Sequence, residues 1–166
     1  MSSGTFKTQA LNPARDLRDA FGQFATGVTI VSAPALPDTD SGFAITVNSF
    51  ASVSLQPPLI SWCIQKDSTS YPLWMDASNF AVSILNAHQG ELCRHFAIRD
   101  NHLIHKHQAF TVSALGNPVV KQALAIFDCR VRAVHDAGDH SLILADVLNF
   151  DSSDTHAPLV YHRGQF

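Results

Sequence analysis

Charge is scarce in this sequence. Only 15% of its 166 residues are Asp, Glu, Lys or Arg, while 46% are apolar. So much apolar material implies surface that a partner subunit or a ligand covers. The net charge is -3 and the pI near 6.3, and a chain without a basic surplus is poorly suited to a phosphate-backbone partner, which argues against nucleic acid. Cysteine is sparse as well: Cys63, Cys93 and Cys129 are odd in number and lack the close spacings of a zinc knuckle or disulfide frame. A reducing, cytoplasmic compartment is expected. No apolar run approaches the ~20 residues of a membrane helix. The opening MSSGTFKTQALN has no apolar core segment, so no signal peptide is expected there. No Gly-x-Gly-x-x-Gly follows a strand pattern, which argues against a Rossmann dinucleotide site. Repeats, linkers and low-complexity tracts are missing too, and the length suits one domain over residues 13–166 behind an arm at 1–12.

What is present is organised around residues 41–65, SGFAITVNSFASVSLQPPLISWCIQ. Phe43 to Val47 reads as a strand. Asn48, Ser49, Ser52 and Ser54 are then threaded between Val47, Phe50, Val53 and Leu55, Pro57-Pro58 stops the segment, and Leu59 to Ile64 reads as a second strand. Short hydroxyl and amide groups at a strand junction supply donors and acceptors without bulk, which suits a polar, planar ligand.

Around this stretch the pattern predicts a helix capped by Asn12 and Pro13 and ended by Gly27. Leu17, Ala20, Phe21, Phe24 and Ala25 form its core face. Val28 to Ser32 is a β-branched strand, and Pro34 to Gly42 a turn-rich connection. A short helix through Trp74-Met75, capped by Ser68 or Thr69 and preceded by Lys66, reads either as an anion site or as a plain capped helix. Asn79 to Leu85 is a strand and His88 to Ala97 a helix. His102, His105 and His107 fall in a loop without a carboxylate or Cys at ligand spacing, so no metal is expected. Val119 to Ala123 reads as a helical turn. Phe127, Cys129, Val131 and Ala133 alternate with Asp128, Arg130 and Arg132, so that strand is half exposed; it turns at Asp136-Ala137-Gly138 and returns as His140 to Phe150. Such a strand count with three helices favours an antiparallel barrel with helices outside.

TVNSFASVSLQPPL at 46–59, Gly-Asp-His at 138–140 and PLVYHRGQF at 158–166 resemble the signatures of the small flavin reductases, the NAD(P)H-using components of two-component flavin monooxygenases. The resemblance spans about residues 14–166 and includes FxxFATGVTIV at 21–31, where Thr26 and Gly27 sit at the family's approach to its ligand. It departs at Ala145, where the family commonly has glycine. It implies a mainly β antiparallel split barrel with flanking helices. It implies FMN or FAD along Thr46, Val47, Asn48, Ser49, Ser52, Val53 and Ser54, with Cys63 and Gln65 in the same site and Lys66, Ser68 and Thr69 at the phosphate. Phe96 is either a flavin contact or core. His140 is expected beside the reactive face, contacting the nicotinamide of NADH or NADPH. A homodimer and a separate oxygenase follow as partners. The alternatives are a non-enzymatic flavin or haem carrier, or a reductase of another substrate on the same fold.

Overall fold

A computed structural model of the chain describes residues 14–105 and 107–166. The expected arm over residues 1–12 and the Asn12–Pro13 helix start lie outside the described residues. In chain order the elements are α1 (Ala14–Phe21), β1 (Thr26–Gly27), β2 (Thr29–Ala33), β3 (Phe43–Val47), β4 (Ala51–Leu55), β5 (Pro58–Gln65), α2 (Tyr71–Asp76), β6 (Asn79–Ile84), α3 (Gly90–Ala97), β7 (Phe110–Val112), β8 (Pro118–Val120), β9 (Ala125–Ala137), β10 (His140–Ser152) and β11 (Val160–Tyr161). Among the described residues no helix is long and apolar enough to cross a membrane.

Seven strands form one antiparallel sheet in the order β3-β2-β6-β9-β10-β5-β4. Its two edge strands are consecutive in the chain, joined only by residues 48–50. Such a link spans at most about 14 Å when fully extended, so the sheet has to wrap until its edges face one another. The outcome is a barrel left open along one seam, the split barrel that the resemblance implies. Ser49 ties the link to the wall: its hydroxyl accepts from the Cys63 amide at 3.0 Å and donates to the Cys63 carbonyl at 3.3 Å.

The barrel interior is aromatic. Trp74 of α2 stands edge-on to Phe43 at 4.7 Å and to Trp62 at 5.0 Å, and Trp62 meets Phe80 at 5.8 Å. Pairs of this kind contribute about 0.5–1.5 kcal/mol each beyond the area they bury. A second buried cluster, with Val28, Ile30, Leu85, Cys93 and Phe96, fills the space where α3 covers the outside of β2 and β3. β2 serves both clusters and is buried throughout, which explains its β-branched run without a solvent face. Ala145 faces the interior at a register shift of the β9–β10 ladder, fully buried, so its methyl is accommodated.

Several expectations are corrected. α1 ends at Phe21, and Gly27 does not cap it; Thr26 and Gly27 instead pair with Tyr161 and Val160. The supposed core face of the helix is exposed in the single chain, Phe21 at 70% and Phe24 at 77%. Amphipathic spacing marks an apolar stripe, but not what covers it. Residue 70, not Ser68 or Thr69, is the N-cap of α2, and its side chain makes no capping bond. Val119 and Val120 belong to β8 and not to a helical turn, because Phe110 to Val112 offers them a pairing edge. Asp128 is buried: the β7–β8 hairpin covers it, and its Oδ1 accepts from Ser113 Oγ at 2.6 Å and Asn117 Nδ2 at 2.8 Å.

Candidate active site

A cleft of about 540 Å³ opens at the barrel seam. Its walls are the end of β3 with Asn48 and Ser49, the end of β5, the turn at residues 67–70, the C-terminal end of α3, and His140 at the head of β10. The size lies within the range of small-molecule sites. Ten of the residues expected from sequence meet here: Thr46, Val47, Asn48, Ser49, Cys63, Gln65, Ser68, Thr69, Phe96 and His140. Four do not. Ser52, Val53 and Ser54 lie on β4, outside the cleft, where Val53 is 51% exposed and Ser54 Oγ accepts from the Gln56 amide at 3.2 Å. Lys66 is turned to the β9–β10 hairpin, its Nζ 2.5 Å from Asp136 Oδ2 and 2.7 Å from the Gly138 carbonyl.

The polar groups of the cleft divide by what they already hold. Thr46 donates its hydroxyl to the Cys93 carbonyl at 2.8 Å, fixing β3 to α3, and Ser49 is committed to Cys63. The side chain of Asn48 makes no hydrogen bond to the described residues, and Thr69 is exposed at the far end. β3 is a sheet edge: at its start Phe43 bridges Leu103 and the Ala44 amide donates to the His102 carbonyl at 2.7 Å, while past Ala44 its outer backbone meets no further strand among the described residues and faces the cleft. Phe96 is buried, forms part of the floor, and packs edge-on to Phe110 at 5.4 Å, so core and lining are one role here.

Sequence reading missed the cation of this site. Arg99, just past α3, lines the cleft and reaches the Asp67 carbonyl at 3.4 Å. The only signal in the chain is a basic residue following a helix, and that pattern equally suits a helix-dipole partner. His102 also lines the cleft, with a buried Nδ1 that has no partner among the described residues. His107 stands apart, its ring 5.6 Å from that of His95. No group of three His, Cys, Asp or Glu side chains among the described residues is arranged to hold a metal.

His140 sits on a two-residue turn, Gly138-Asp139, with Gly138 at φ 73°, which glycine adopts without strain. Its Nδ1 lies 2.7 Å from Asp139 Oδ1. That contact holds the Asp139 carboxyl below the ordinary range and favours the tautomer with the proton on Nδ1, leaving Nε2 for the cleft. Burial pushes the Cys63 thiol up, so at neutral pH it is protonated and a poor nucleophile. The cleft thus has a strand edge whose outer backbone is open past Ala44, a hydroxyl-and-guanidinium end and one oriented imidazole. That donor set fits a flavin, whose ring needs edge hydrogen bonds and whose phosphate needs a cation.

The sequence matches the family model described as flavin reductase like domain over residues 21–166. The chain belongs to this family. It is 40% identical over 153 residues to the FMN reductase (NADH) SmoA of Agrobacterium fabrum, covering 92% of this chain and 84% of that protein. It is 42% identical over 157 residues to the reductase component of the flavin-dependent trigonelline monooxygenase of Acinetobacter baylyi, covering 95% of this chain and 49% of that protein, so this chain spans about half of it. The fold matches the NADH:FAD oxidoreductase SgcE6 of Streptomyces globisporus, solved with NAD and FAD fragments. The TM-score is 0.84 at 30% identity, over 96% of this chain and 95% of that one.

Proposed function

We propose that this protein is the NAD(P)H:flavin oxidoreductase component of a two-component flavin monooxygenase, acting as a homodimer in the cytoplasm. A bound flavin supplies the hydride acceptor, and the nicotinamide nucleotide is the donor substrate. The residues of the chain bind, orient and exclude water. The backbone edge of β3 with Asn48 takes the ring, and Ser68, Thr69 and Arg99 take the phosphate. His140, held by Asp139, presents Nε2 to the nicotinamide so that the reacting atoms meet at about 3–3.5 Å. Lys66 acts at one remove, locking the turn that carries His140. The observation that carries the reading is this one cleft, in which a flavin-sized slot, a cationic end and an oriented histidine converge. Three free cysteines accord with a reducing compartment.

Oxidation of NADH or NADPH with FMN or FAD in molar excess tests the proposal. Many turnovers per protein are expected, with reduced flavin accumulating without oxygen. Tight flavin binding without turnover would instead identify a carrier.

A further inference from the structure

The flavin cleft does not end at Asn48. That residue also lines a passage of about 210 Å³, shared with Thr46 and Tyr161, and a further lobe of about 690 Å³ between the end of α1 and the C-terminal segment. Hydride transfer needs two nucleotides in contact, so the second must enter through a cavity that opens on the first. The histidine-lined cavity beside α3 has no lining residue in common with the cleft. The lobe past Asn48 does.

Its chemistry is that of a nucleotide pocket. Tyr161 and the exposed Phe24 offer ring faces for a base. Arg163 holds the neutral Gln23 Oε1 through Nε at 3.0 Å and Nη2 at 2.5 Å, and among the described residues no carboxylate lies in ion-pair reach of it. Its guanidinium charge is therefore placed but not neutralised, as a phosphate ligand requires. The Thr26 hydroxyl, on the same wall, is buried without a partner among the described residues. The walls are also preassembled: Arg163 N donates to the Gly22 carbonyl at 3.0 Å, and Thr26 pairs with Tyr161.

We infer that this lobe binds the adenylate half of the dinucleotide, resting on the flavin reductase reading above. Two dinucleotides carry an adenylate, NAD(P)H and FAD. The direction of the cleft favours NAD(P)H. Ser49 is bound to Cys63 at the Asn48 end, whereas Arg99 meets Asp67 at the other, cationic end. A flavin with its phosphate by Arg99 sends any adenylate of its own away from Asn48.

The test compares NADH with reduced nicotinamide mononucleotide, which lacks the adenylate, using FMN as acceptor. The parent protein should favour NADH, and 5′-AMP should compete with it. In Arg163→Gln and in Phe24→Ala, on a different element, the advantage of NADH should shrink at least tenfold and inhibition by 5′-AMP weaken in parallel. Arg163→Lys should recover part of it. FMN titration and sedimentation accompany each variant. The inference is overturned if NADH and the truncated donor are affected alike, if the advantage is unchanged, if FAD affinity falls while the NADH advantage stays, or if the variants only change the association state. A parent protein that oxidises no donor with any flavin would refute the reductase reading itself, a different result from active variants that keep the NADH advantage.

Discussion

At the scale of single residues the assignments turn on which polar groups are already spoken for. His140→Ala should leave flavin titration nearly intact and lower the rate of hydride transfer, or raise the KM for NAD(P)H, by about ten- to a hundredfold, equivalent to about 1.4–2.8 kcal/mol. Stopped-flow reduction measures this; parental rates would return His140 to the status of a turn residue. Arg99 and Lys66 make an opposed pair. Arg99→Gln should weaken FMN binding about tenfold and flatten its salt dependence, since a charge-assisted contact is lost. Lys66→Met should spare FMN affinity, because its ammonium is held by Asp136 and Gly138. The sequence placed a lysine beside two hydroxyl residues and invited a phosphate. It could not say that the next hairpin would capture the lysine, because that hairpin begins about sixty residues later.

At the scale of elements, the β7–β8 hairpin depends on a buried polar network. Asp128 is held by Ser113 and Asn117, and Asn117 Oδ1 accepts from Asn79 Nδ2 at 2.7 Å. Asn117→Ala leaves a buried carboxyl short of a donor and should cost about 1–3 kcal/mol, read as a lower urea midpoint with unchanged m. The β9–β10 turn carries its own acid limit. Lys66 holds the Asp136 carboxyl below the ordinary range, so this pair contributes at neutral pH and is lost only as pH falls through that lowered value. β3, β5, β6 and the long hairpin were legible because their apolar residues stand in runs or alternate. β4, β8 and the end of α1 were not. β4 mixes exposed Val53 and Leu55 with serines, β8 is a three-residue strand too short to show a period against its equally short hairpin partner β7, and the end of α1 is set by the pairing of Thr26 and Gly27 with the distant β11, which no local pattern records.

For the whole molecule, the exposed apolar residues matter together. Leu55 is 90% exposed, and Val112 and Phe150 68% each, which is costly to leave in water on a chain with so little charge. We expect a homodimer with an interface above about 2,000 Å² in total. Sedimentation that shows a flavin-bound monomer at micromolar concentration would remove the dimer from the proposal.

The barrel seam has a consequence for the reaction cycle. The two edges of the sheet are held across it by residues 48–50 and by the paired contacts of Ser49 to Cys63. In the proposed site a flavin against the edge of β3 past Ala44 would take the place of a missing ladder, so its binding free energy would also be a closing free energy for the wall. Backbone amides of β3 and β4 should exchange with solvent faster when flavin has left than when it is bound, while those of β6 and β9 stay protected. On the proposed function, departure of the reduced flavin and slackening of the wall would be one event, and an oxygenase partner would meet a looser protein after delivery than before it.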